Sequence, residues 1–108
     1  MFSTDDPRHA IDPLRYEGPA EKARRFLIEA VSGMKRARMI VDEERYLRAE
    51  FTSAFFRFVD DVEFLLDNGT RTIHVRSASR VGYSDLGVNR RRVEEIRSRF
   101  DDFRQERI

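Results

Sequence analysis

Three consecutive arginines, Arg90, Arg91 and Arg92, are the residues whose chemistry most needs an explanation. The preceding segment VGYSDLGVN contains two glycines and reads as a loop, which predicts that the arginines lie in the first turn of a helix. The positive end of the helix dipole disfavours a cation there by about 0.3–1 kcal/mol. We therefore expect a compensating anion, either a carboxylate of the protein or a bound phosphate or carboxylate.

The internal alternative is an acid pair, Asp60 and Asp61, that interrupts an otherwise apolar stretch. Asp60 has the same parity as Val62, so it is predicted to face the core, where a carboxylate must be paired or hydrogen-bonded. A planar guanidinium is the natural partner because it holds a carboxylate with two hydrogen bonds. We expect the partner to be Arg76, Arg80 or one of the run 90–92.

The three arginines of the run are expected to have different partners. Successive helical residues are about 100° apart, so they cannot all face one partner. Arg92 precedes Ile96 by four residues and is predicted to flank the buried stripe, with its stem against the core. We predict that one of Arg90 and Arg91 holds the internal carboxylate and that the other binds an external anion.

These considerations define a candidate ligand-binding surface between the last strand and the last helix. Its members are His74, Arg76, Ser77, Ser79, Arg80, Ser84, Asn89, Arg90 and Arg91. The favoured interpretation is a non-catalytic binding or accessory module that engages an anionic small molecule or an acidic protein surface. The surrounding glycines match no phosphate-binding motif, so we expect them to supply turn geometry only.

Two other function classes are also consistent with these residues. A small enzyme would use His74 with Asp60 or Asp61 for acid–base chemistry, provided that these groups come within hydrogen-bonding reach. A purely structural interaction domain would pair its arginines internally. The second histidine, His9, is far from His74 in sequence, and two separated histidines make a poor metal site. No metal, cofactor or catalytic residue is therefore assigned.

The composition limits the function classes further. The chain has 108 residues, which suits one domain, and no cysteine, which excludes disulfides and thiol catalysis. Its net charge is +1 although 38% of its residues are charged, which gives no support to nucleic-acid binding. No apolar run is long enough to insert into a membrane, and the first 13 residues do not resemble a signal peptide. We therefore expect a cytoplasmic protein.

The hydrophobic pattern predicts the elements that position the candidate residues. After an extended arm over 1–16, a domain over 17–108 should begin with a helix that has Pro19 at its first position and Gly33 as a left-handed C-cap. Four alternating segments then predict antiparallel strands, with a type I′ turn at Asn68-Gly69. A final helix with Asn89 as N-cap completes an α+β two-layer sandwich. Ile73 and Val75 should face the helices, and His74 should face outward.

Three segments of the sequence are similar to one known family. FRFVDDVEFLLD, IHVRSASRVGYSDLGVNRRRVEEIRSRF and the N-terminal DPRHAIDPLRY resemble domain-of-unknown-function family 1499, found in bacteria and plant plastids. Family members often begin with a segment around NCVS, whereas this chain begins MFST and lacks the cysteine. The resemblance implies relatives that are often attached to a membrane or exported. It implies a domain of this size, but no activity.

Overall fold

A computed structural model describes residues 11–52, 59–79 and 86–106. Within these ranges the chain forms an α+β fold with two helices against one antiparallel sheet, as the sequence predicted. The elements in chain order are β1 (Leu14–Arg15), α1 (Ala20–Ser32), β2 (Ala37–Asp42), β3 (Tyr46–Thr52), β4 (Val59–Asp67), β5 (Thr72–Ser79) and α2 (Leu86–Glu106). No helix in the described part of the chain is both long and apolar enough to cross a membrane.

The sheet has five strands in the order β1-β5-β4-β3-β2, one more than predicted. The additional strand is β1, in which Leu14 pairs with Ile73 and Arg15 pairs with Thr72. A strand of two residues is too short to show alternation, so the hydrophobic pattern could not reveal it. Leu14 and Tyr16 are nevertheless buried, which makes this part of the N-terminal segment a component of the core.

Alternation along the central strands decides which residues face the helices. Directly opposed residues of antiparallel strands share a face, so the register places Val75, Phe64 and Leu47 together on the buried side. The core residues of β3, β4 and β5 are Leu47, Ala49, Phe51, Val62, Phe64, Leu66, Ile73 and Val75, and those of the helices are Ala23, Leu27, Ala30, Val31, Val93, Ile96 and Phe100. The predicted inward orientation of Ile73 and Val75 is confirmed.

The end of α1 differs from the prediction. Gly33 is the C-cap residue but has a right-handed backbone, with φ −82°, whereas Arg36 adopts the left-handed conformation, with φ 56°. A Cβ at Gly33 would collide with Nη2 of Arg99, so a larger residue here would displace the end of that guanidinium. The Nε of Arg99 donates to the carbonyl oxygen of Ala30 at 2.9 Å and so satisfies one of the last carbonyls of α1.

The β4–β5 hairpin is present, but its turn is not the predicted two-residue type I′. Four residues, 68–71, connect Asp67 to its partner Thr72, and the left-handed residue is Arg71, with φ 54°. The Oδ1 of Asp67 accepts the backbone N–H groups of Gly69 at 3.0 Å and Thr70 at 3.3 Å. This side-chain cap stabilises the longer connection and makes a positive φ at Asn68 unnecessary.

Helix α2 begins earlier than predicted and changes the setting of the arginine run. It starts at Leu86, three residues before Asn89, so Asn89 lies within the helix and is not its N-cap. Arg90–Arg92 therefore lie in the second turn. Because the effect of the helix dipole is largely confined to the first turn, it imposes little penalty on these cations.

Candidate functional site

Asp60 and Arg92 form an ion pair between β4 and α2. Nη1 of Arg92 donates to Oδ2 of Asp60 at 2.7 Å, and the two side chains are only 14% and 12% exposed. The guanidinium carbon of Arg92 lies 4.9 Å from the centroid of the Phe51 ring, which adds a cation–π contact. The predicted contact between the acid pair and a C-terminal arginine is therefore confirmed for Asp60.

The arginine in this contact differs from the expected one. We expected Arg90 or Arg91 to hold the carboxylate, but both are exposed and Arg92 makes the pair. The reason is the rotation of α2, whose buried stripe contains Val93 and Ile96. Arg92 flanks that stripe and reaches the sheet, while the two preceding residues turn toward solvent at about 100° per residue.

His74 and Arg76 lie on the opposite face of the sheet from the helices. Nη1 of Arg76 is 3.7 Å from one carboxylate oxygen of Glu63, whose other oxygen accepts a hydrogen bond from the hydroxyl of Tyr46 at 2.8 Å. Burial and, secondarily, this hydrogen bond raise the pKa of Tyr46. Nε2 of His74 is 4.0 Å from Oδ2 of Asp67. The predicted outward orientation of His74 is confirmed.

The structure does not bring His74 together with the acid pair. Asp60 lies on the helix-facing side of β4, whereas His74 lies on the other side of the sheet. Asp61 shares the face of His74, but it is four residues along β4 from Leu65, the residue opposite His74. Four residues of strand span roughly 13 Å. An acid–base pair of His74 with either carboxylate is therefore not supported by this geometry.

The other candidate residues are divided between the two faces or lie outside the described residues. Ser77 is half-buried and opposes Val62 on the helix-facing side. The backbone of Ser79 pairs with that of Asp60. Arg80 and Ser84, as well as the side chains of Ser79 and Asn89, lie outside the described part of the chain. Among described residues, no group of three acidic or histidine side chains is placed to hold a metal.

A surface pocket of about 580 Å³ lies where the end of α1, the end of β3 and the middle of α2 meet. We call it the basic pocket, because its lining includes five cations and one carboxylate. The lining residues are Gly33, Met34, Lys35, Arg36, Phe51, Thr52, Arg91, Arg92, Glu95 and Arg99. Arg91 is the member of the candidate ligand-binding surface that belongs to it.

Four cations of the basic pocket were not among the predicted ligand-binding residues: Arg92, which was expected only to flank the buried stripe, and Lys35, Arg36 and Arg99. Lys35 and Arg36 follow α1, and Arg99 lies two helical turns beyond Arg91. The spacing of Arg91, Glu95 and Arg99 by four residues shows in the sequence that they share one face of α2. The sequence does not predict that Lys35 and Arg36 approach that face, because their position depends on how α1 packs against α2.

The family comparison agrees with the resemblance seen in the sequence. Residues 1–100 of the chain match the family model described as Protein of unknown function (DUF1499). The chain belongs to the DUF1499 family. Every residue that lines the basic pocket of this DUF1499 protein lies within the matched range. No curated protein and no solved structure matches the chain.

Proposed function

We propose that this DUF1499 domain is a non-catalytic binding module that holds an anionic small molecule in the basic pocket. The observation that supports the proposal is the convergence of five basic side chains around one pocket that contains a single carboxylate. The whole chain has a net charge of only +1, so this excess is local. A concave site with an excess of one sign of charge concentrates ligands of the opposite sign.

The five cations have two different roles in this proposal. Arg92 is held by Asp60, which offsets its charge, whereas Arg99 is held by the neutral carbonyl oxygen of Ala30 and keeps a fixed positive charge in the pocket. Lys35, Arg36 and Arg91 are exposed and can move onto a ligand. The charged ends of these three side chains are available to donate hydrogen bonds to a ligand. A guanidinium group can donate two parallel hydrogen bonds to two oxygens of a phosphate or carboxylate.

The competing interpretation is a contact with an acidic protein surface. The shape of the site favours a small molecule, because a cavity of about 580 Å³ falls within the usual range for small-ligand sites. Three segments also surround the pocket, whereas a flat protein contact needs a broad level surface. An acidic protein partner is therefore the alternative outcome of the following experiment.

The experiment measures thermal unfolding in inorganic phosphate and in sodium chloride at the same ionic strength. Phosphate at ten times its dissociation constant should stabilise the protein by about 1.4 kcal/mol. Arg91→Gln should lose most of this phosphate-specific stabilisation. Arg90→Gln is the matched control, because Arg90 is exposed on the same helix but does not line the pocket.

Two results would contradict the proposal. One is an equal response of the wild type to phosphate and to chloride. The other is an equal loss in Arg90→Gln and Arg91→Gln, which would mean that general surface charge attracts the anion. If phosphate has no effect while an acidic polypeptide binds and is weakened by Arg91→Gln, the alternative partner is the correct one.

A further inference from the structure

The basic pocket also contains groups that an anion alone would not use. Glu95 is exposed on α2, one helical turn from Arg91 and one turn from Arg99. Thr52 adds a hydroxyl at the end of β3, where its backbone N–H donates to the carbonyl oxygen of Arg36 at 3.1 Å. The site therefore contains two side chains with acceptor oxygen atoms, Glu95 and Thr52, among its cations.

The carboxylate of Glu95 restricts the ligands that fit. An ionised carboxylate can only accept hydrogen bonds, and it repels a ligand that is anionic throughout. A ligand ammonium group would satisfy Glu95 but would meet the five cations of the same pocket. Neutral hydroxyl groups donate to a carboxylate without this repulsion, and such charge-assisted hydrogen bonds are strong.

The size and charge of the site restrict the anionic end of the ligand. A phosphate monoester carries a charge of about −1.5 to −2 and three acceptor oxygens, which suits the exposed cations Lys35, Arg36 and Arg91. A phosphate group by itself would fill only a small part of the approximately 580 Å³. We infer that the ligand of the basic pocket is a phosphorylated polyol, with its phosphate on the cations and a hydroxyl on Glu95. This inference rests on the proposed anion-binding function.

The test compares three probes by isothermal titration calorimetry: ribose 5-phosphate, inorganic phosphate and ribose. The wild type should bind ribose 5-phosphate about tenfold more tightly than inorganic phosphate, the ratio expected for one good hydrogen bond to a charged group. It should not bind ribose measurably. Glu95→Ala should reduce the preference for ribose 5-phosphate to about twofold or less, because it removes the acceptor for the hydroxyl group. It should not weaken the binding of inorganic phosphate, because it also removes a charge that repels this anion.

Two further variants separate the hydrogen bond from the charge. Glu95→Gln retains an acceptor oxygen and should keep part of the preference for ribose 5-phosphate. Glu94→Ala makes the same change in net charge on the neighbouring residue, which does not line the pocket, and should keep the full preference. Circular dichroism of each variant checks that the fold is retained, as expected at these exposed positions.

The possible failures can be told apart. If the wild type binds phosphate but does not prefer ribose 5-phosphate, the polyol inference is wrong and the anion-binding function remains. If the wild type binds neither ribose 5-phosphate nor inorganic phosphate, the polyol inference and the anion-binding function are both wrong. If the preference persists in Glu95→Ala, Glu95 does not recognise the hydroxyl groups and the inference is overturned.

A free phosphate ester and a lipid headgroup can both present this chemistry. Cosedimentation with vesicles of phosphatidylinositol 4-phosphate but not of phosphatidic acid would identify a lipid headgroup, because both carry a phosphate monoester but only the former carries it on a polyol. Binding of ribose 5-phosphate without cosedimentation would identify a free ester. Equal cosedimentation with both anionic vesicles would show that charge alone attracts the protein, and it would overturn the inference.

Discussion

Arg92 on α2 and Asp60 on β4 are joined by a hydrogen-bonded ion pair of 2.7 Å, 32 positions apart in the chain. The pair lies beside the ring of Phe51 and is largely removed from solvent. Because a largely buried charge that loses a hydrogen-bonded counterion regains little hydration, each member of the pair stabilises the other. The pair thus fixes α2 against the sheet next to the basic pocket.

Asp60→Ala should destabilise the protein by about 3–5 kcal/mol, because it leaves Arg92 without this carboxylate. For a domain of this size the melting temperature should fall by at least about 10 °C, measured by calorimetry. Asp61→Ala is the matched control, because the neighbouring carboxylate faces away from the helices. The Asp60→Ala/Arg92→Ala double variant should lose less than the sum of the single losses. Additive losses would show that the pair is not coupled.

Gly33→Ala should lower the free energy of unfolding by about 1 kcal/mol. The new methyl group displaces the guanidinium of Arg99 and breaks its hydrogen bond to Ala30, a loss that exceeds the usual benefit of replacing glycine. Urea denaturation measures the change. In an Arg99→Ala background the same substitution should be neutral or stabilising. A similar loss in both backgrounds would mean that the space at Gly33 is not reserved for Arg99.

The Asp67 turn cap should make stability depend on pH in the acid range. Hydrogen bonds from Thr70, and then from Gly69, hold the pKa of Asp67 below its ordinary value of 3.8. A carboxyl group with a lowered folded-state pKa contributes stability above its unfolded pKa and loses it as pH falls through the folded pKa. Asp67→Asn keeps an acceptor oxygen but cannot titrate. Urea midpoints between about pH 2 and 6 should therefore fall less steeply in the variant than in the wild type. Parallel curves would refute this account.

Arg97 should hold the N-terminal segment against α2. Its Nη1 and Nη2 donate to the carbonyl oxygens of Pro13 at 3.0 Å and Asp12 at 2.6 Å. Arg97→Ala should speed hydrogen exchange of the Tyr16 amide, which donates to Arg71 beside β1. Loss of two such hydrogen bonds should increase the exchange rate of this amide through local opening by about tenfold or more. Ser98→Ala, at an exposed position next to Arg97 on α2, should leave exchange unchanged, and an equal increase in both variants would assign the effect to α2 as a whole.

Local periodicity was sufficient to predict the architecture. Alternation in β3, β4 and β5 and the helical spacing of Val93, Ile96 and Phe100 depend only on which side of an element is buried. That rule also indicated that Asp60 needs a cation and that His74 faces away from the helices. Alternation along β5 also places His74 and Arg76 on one face and Ser77 and Ser79 on the other. The prediction that these four residues form one surface therefore conflicted with the alternation in the sequence.

Contacts between distant segments were decided only by the tertiary structure. The choice of Arg92 for Asp60 depends on the rotation of α2 above the sheet, and the start of α2 at Leu86 shifts the arginines away from the helix end. The meeting of Lys35 and Arg36 with Arg91 requires α1 to end beside the middle of α2. Periodicity specifies the buried side of each element, but the position and angle at which two elements pack result from the fit of all their side chains together.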